Sequence, residues 1–177
     1  MSEELQKTET MADEGKVKTF NVVFDVEGKA VGKMRNEIKG QMVSPVVDEA
    51  FEMATDEGAA HGGDMTAPPP LAYFCTGFVA CLMTQIRAFS KRLRVPIGEL
   101  TVKAHIEWEA RVEGRDPYTS RPVAFRLDVD FDSDASFEDQ KRLLDAAQKG
   151  CFVEATLANP IPVNHRLKID GDFQDAD

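Results

Sequence analysis

The chain has 177 residues, 42% hydrophobic and 29% charged, which suits a globular domain with a substantial core and excludes wholesale disorder and fibrous repeats. Acidic residues number 31 against 21 basic ones, a net charge of −10. Most of that surface would repel a phosphate backbone, so no nucleic-acid partner is expected.

Residues 1–15 are polar and acidic, with no apolar core of a secretory signal, and read as a disordered tail. A single domain is expected over residues 16–170. Phe20, Val22, Phe24 and Val26 alternate with polar neighbours and predict a strand. Glu27-Gly28-Lys29 reads as a turn, followed by a second strand from about Ala30 to Glu37. Val43 to Met53 suits either strand or helix, and Gly58 to Gly63 reads as loop.

Ala67-Pro68-Pro69-Pro70 can open a helix, because first-turn N–H groups lack helical partners anyway. From Leu71 to Met83 the helix is apolar on every side, which predicts burial on every side. The run is shorter than the roughly 20 apolar residues of a bilayer crossing, so no membrane is expected and the compartment expected is the cytoplasm. After Thr84 the pattern turns amphipathic, with Ile86, Phe89 and Leu93 on the apolar face, and Pro96 stops it.

Glu99 to Glu113 is the clearest strand, with Val102, Ala104, Ile106 and Trp108 on one face and His105, Glu107 and Glu109 on the other. Pro122 to Asp132 is its hairpin partner, which predicts an antiparallel sheet with one wet face. On that sheet Glu107, Glu109 and His105 read as solvated and Trp108 as core, and Asp128 to Asp134 read as a wet edge, not a calcium loop. Ser136 to Asp139 resembles a capping box, opening a helix with Phe137, Leu144, Ala147 and Cys151 on one face. Gly150 weakens or breaks that helix, and Cys151 to Ala158 continues as a short one. Val163 to Ile169 predicts a last strand, and residues 171–177 a frayed acidic tail. Strands, a long helix, a hairpin, helices and a strand in that order make the class α+β.

In a reducing compartment three cysteines are free thiols or a transient redox pair. There is no C-x-x-C, and His61, His105 and His165 are scattered, so neither a zinc site nor a cofactor is expected. Cys75 and Cys81 are six residues apart on one helix, about 600° of rotation, which puts them on different faces. Cys75 reads as core. Cys81, inside the apolar helix, and Cys151, after Gly150, carry either chemistry or packing.

Gly62-Gly63-Asp64, Ala67-Pro68-Pro69-Pro70-Leu71 and Gly77-Phe78-Val79-Ala80-Cys81 together resemble the OsmC/Ohr family. Gly150-Cys151-Phe152-Val153, Ala155-Thr156-Leu157 and Pro162-Val163-Asn164-His165 resemble its later segments. The likeness runs over roughly residues 17–169. It implies an intertwined homodimer with antiparallel sheets packed around two long central helices. It also implies a thiol-dependent peroxidase acting on organic hydroperoxides, restored by a thiol reductant. In that template Cys81 is the peroxidatic cysteine, Cys151 resolves it as a disulfide, and Arg35 activates the thiol. The chain departs from the template in two places. Pro70, Leu71 and Ala72 stand where the peroxidases carry a glutamate, and Phe152 stands where they carry a proline. A dimer that binds an apolar small molecule, with the cysteines as packing, and covalent sulfur handling at Cys81 are the competing expectations.

Overall fold

The first strand runs further than its alternation suggests. In the computed structural model, which describes residues 17–176, β1 covers Val23–Ala30 and β2 covers Asn36–Ser44. The expected tail at 1–15 lies outside the described residues. Gly28 is therefore not a turn. It sits inside β1 opposite Ile38, where an added Cβ would lie 3.0 Å from Ile38 Cδ1. The glycine makes room for a cross-strand side chain. The chain reverses instead at Val31 to Arg35, closed by the Val31 N–H donating to the Arg35 carbonyl at 3.0 Å. The segment that suited strand or helix is strand: β3, Val46–Thr55, pairs antiparallel with β2 in the order β1-β2-β3.

The loop after β3 is built on one carboxylate. Asp56, 2% exposed, accepts from the N–H groups of Glu57 and Thr66, each at 2.9 Å, and from the Thr66 hydroxyl at 2.7 Å. These bonds hold its carboxyl below the usual range, the Thr66 N–H contributing most. A single 3₁₀ turn, Ala59–His61, lies in this loop. Gly63 is required there, because a Cβ would fall 1.9 Å from the Glu57 carbonyl oxygen.

The chain divides into two compact units after Pro69. The second opens with α1, Pro70–Leu93. Its buried residues are Phe78, Leu82, Ile86 and Ser90, one stripe at four-residue spacing. The all-round burial expected of the apolar run is not observed; Leu71, for example, is 55% exposed. The reason is geometric: α2, α3 and the hairpin that follows α1 cover only part of its circumference. At 24 residues α1 has the length and composition to cross a bilayer, more than its apolar run predicts, because the amphipathic half extends the same helix.

β4 (Leu100–Arg111) and β5 (Thr119–Phe131) pair antiparallel along their whole length. Trp108 packs edge-on against Phe125 at 5.6 Å and Phe74 at 5.9 Å, so the apolar face of this hairpin is an aromatic layer shared with α1. The opposite face is wet, with Arg121 donating twice to Glu109 at 2.8 and 3.1 Å.

α2 spans Phe137–Gly150, and Ser136 caps it by accepting from the Asp139 N–H at 3.2 Å. Its buried side chains are Leu143 and Ala147, continued by Cys151. The expected face differs in two members: Leu144 is half-buried and Phe137 is 75% exposed. Phe137 precedes Leu143 by six residues, about 600° of rotation, so both cannot face α1. α3, Phe152–Ala158, follows at once. Most of the segment expected to fray is strand. β6 (Arg166–Ile169) and β7 (Asp172–Asp175) form a hairpin around Asp170 and Gly171, whose φ values are 53° and 97°. Two positive φ angles at Asp-Gly are the signature of a tight two-residue hairpin. The class expected from the sequence, α+β with antiparallel sheets, is the one observed.

Candidate thiol site

Cys81 enters from α1 and Cys151 from the junction of α2 and α3. The two helices meet through Leu82, Ile86, Leu143 and Ala147, all at most 1% exposed. Ala147 and Cys151 are four residues apart, so the stripe that docks α2 on α1 also carries Cys151 inward, to 0% exposure. Cys81, beside Leu82, is half-buried and packs against this same core, and Cys75 is not among the side chains that do.

Gly150 sets how closely the junction approaches α1. A Cβ there would lie 2.6 Å from Cε2 and 2.7 Å from Cζ of Phe89. The Phe89 ring therefore lies directly over the glycine, one residue from the thiol. The Cys151 N–H donates to the Gln148 carbonyl at 3.2 Å and its carbonyl accepts from Ala155 at 2.9 Å. The residue thus ends one helix and begins the next.

Cys81 packs against the cluster that contains Cys151, so the two thiols share one core. All three cysteines are free. Burial pushes the Cys151 thiol up to about 11. The Glu154 N–H pulls it down, the Cys81 thiol pushes it up, and the Val153 N–H lowers it slightly. Cys151 makes no formal side-chain cap to α3, so these N–H groups act on the sulfur as nearby dipoles, too weak to offset burial.

α1, β5, α2 and α3 also wall a groove of about 600 Å³, whose lining includes Phe78, Phe125, Leu127, Leu157, Gln148 and Glu154 but neither thiol. Phe78 is three residues before Cys81, and Glu154 three after Cys151. Glu154 Oε1 is buried without a hydrogen-bond partner among the described residues, and burial raises its carboxyl. Sequence reasoning missed Glu154. Its only signal was an acidic residue one turn after a cysteine, which by itself reads as an ordinary helix-start charge.

Arg35 belongs to the first unit, immediately before β2. Its guanidinium Nη1 donates to the Thr66 hydroxyl at 2.9 Å and the Thr66 carbonyl at 3.3 Å. Thr66 is itself tied to Asp56, so the guanidinium is anchored through two links to a buried carboxylate. His105 and Glu107 stand exposed on the wet face of β4, 4.0 Å apart. Among the described residues, no group of three or more His, Cys, Asp and Glu could hold a metal ion.

Residues 61–166 match the family model described as OsmC-like protein. An OsmC-like hydroperoxide resistance protein from Jannaschia sp. CCS1 is 46% identical, with 88% of this chain and 98% of that chain covered and a TM-score of 0.60. An OsmC-like protein from Mycoplasma pneumoniae (17% identity, 81% and 89% covered, TM-score 0.57) shares the fold. So does a putative osmotic stress induced and detoxification response protein from Psychrobacter arcticus 273-4 (17% identity, 81% and 90% covered, TM-score 0.54). No curated protein matches the chain.

Proposed function

Because the chain belongs to the OsmC-like family, we propose that it is a thiol-dependent peroxidase that reduces organic hydroperoxides through Cys81 and Cys151. The observation that carries this reading is that two free thiols share one core, on helices that also contribute aromatic and aliphatic walls to a groove. That the 46% identical relative is a hydroperoxide resistance protein supports the substrate class.

The roles follow from exposure. Cys81 is half-buried and open to a peroxide, whereas Cys151 is sealed and holds its proton to about 11. Cys81 as thiolate attacks the outer oxygen of the hydroperoxide, the O–O bond breaks, and the alkoxide leaves as an alcohol after gaining a proton. Cys81 becomes a sulfenic acid. Cys151 then attacks its sulfur, forming the disulfide and releasing water. A dithiol reductant restores both thiols and is itself oxidised to a disulfide. The compartment proposed for this enzyme is the cytoplasm. The working form is a homodimer, which supplies cover for the α1 surface that its own chain leaves open.

The test is turnover of cumene hydroperoxide with a dithiol reductant, with intact mass and disulfide mapping after one equivalent of oxidant. Wild type should form the Cys81–Cys151 bond and turn over, and Cys81→Ser should do neither; equal rates in the two proteins reject the reading. One observation favours a second reading. The buried, fully protonated Cys151 is also what a packing cysteine looks like, in a non-catalytic dimer that binds an apolar small molecule in the groove. That reading expects both thiols to stay free after hydroperoxide.

A further inference from the structure

The departing alkoxide is a strong base, and its protonation needs an acid within reach of the groove. The walls that α1 and β5 bring to the groove are Phe78, Pro122, Val123, Ala124, Phe125 and Leu127, none of which can give a proton. Gln148 and Glu154 are the polar side chains among the lining residues, and of these Glu154 alone is an acid. Resting on the peroxidase reading above, we propose that the Glu154 carboxyl is the acid of this site. It gives its proton to the alkoxide oxygen as the Cys81 thiolate splits the O–O bond of a hydroperoxide held in the groove.

Three features of the structure fit this role. Glu154 lies one helical turn beyond Cys151, so the core that fixes the resolving thiol also fixes the acid. Its Oε1 is buried and has no hydrogen-bond partner among the described residues, so that oxygen is not committed to another protein group. The charged groups nearest in the adjoining hollow, Asp145 and Lys149, are paired with each other at 2.7 Å. Burial raises the carboxyl, which favours the protonated form that an acid requires. The step balances: the thiolate sulfur gains the hydroxyl oxygen, the alkoxide takes the glutamic proton, and the carboxylate recovers a proton from water before the next turnover.

The experiment compares wild type with Glu154→Gln on two oxidants. Cumene hydroperoxide leaves as a basic alkoxide, and peroxyacetic acid leaves as acetate, which needs no proton. General-acid loss should slow the Cys81 oxidation step about a hundredfold with cumene hydroperoxide, and by a few-fold at most with peroxyacetic acid. An equal loss on both oxidants, or none on either, overturns the role of Glu154. Peroxyacetic acid also reports on folding, since a misfolded variant would lose both reactions, and unchanged far-ultraviolet circular dichroism completes that control. If wild-type Cys81 reacts with neither oxidant, the peroxidase reading itself has failed, and that outcome is distinct from normal wild-type turnover with an unaffected variant.

Discussion

The ring of Phe89 lies over Gly150, so near that a single added carbon would meet it at 2.6 Å. This contact lets the end of α2 settle on α1 and deliver Cys151 to the core beside Cys81.

Gly150→Ala should therefore destabilise the protein, although alanine is the better helix former. Overpacking a filled core costs about 1–3 kcal/mol, whereas removing a helical glycine returns about 0.5–1 kcal/mol. The expected result is a net loss in urea unfolding, together with slower formation of the Cys81–Cys151 bond. A gain in stability would show that the Phe89 ring swings aside without cost.

Cys151 makes stability fall with alkali. Its folded value, about 11, lies above the ordinary thiol value of 9.0, so the folded protein keeps a proton that the unfolded chain releases. The contribution is complete below pH 9 and is lost as pH rises through about 11. A shift of this size is worth about 2–3 kcal/mol at most. Unfolding free energies of wild type and Cys151→Ala, measured from pH 8 to 11, should converge as pH rises. Parallel curves would show that the thiol does not titrate as described. For the same reason iodoacetamide at neutral pH should label Cys151 last of the three cysteines in the folded protein.

Asp56 gives the first unit the opposite dependence. Its folded value is lowered from 3.8, so its contribution is present above that value and is lost as pH falls through the lower folded one. Asp56→Asn leaves one acceptor oxygen where donors from Glu57, from Thr66 twice and from the Asp64 backbone now converge. Amide exchange in residues 56–66 should accelerate at neutral pH in the variant, and the acid sensitivity of this loop should shrink. Exchange as slow as in wild type would mean the loop is held by other contacts.

The open surface of α1 predicts self-association. Sedimentation at micromolar concentration should give a mass near twice 19.6 kDa. A monomer at that concentration would contradict the homodimer and leave the exposed apolar side chains, such as Leu71 and Phe152, without the cover assigned to them.

Much of the architecture is carried by local pattern. Two-residue alternation marks β4 and β5, the proline run and Pro96 bracket α1, and Ser136 opens α2, because each signal acts within a few residues of itself. The turn assigned to Gly28 and the frayed end assigned beyond Asp170 differ for local reasons too. A glycine can serve a cross-strand neighbour instead of a turn, and Asp170-Gly171 is a hairpin signal in its own right. The segments around Cys81 and Cys151 carried the family likeness, but that the two cysteines share one core was not legible.

Sequence alone determined which residues could be strand, helix or reactive thiol, since backbone propensity and side-chain periodicity are short-range properties. Only the tertiary structure decided that Leu143 and not Phe137 faces α1, that Cys151 is sealed beside Cys81, and that Glu154 stands in an apolar groove. Those facts depend on burial, and burial is set by residues about 70 positions apart packing together, Cys81 and Cys151 among them, which no local pattern encodes.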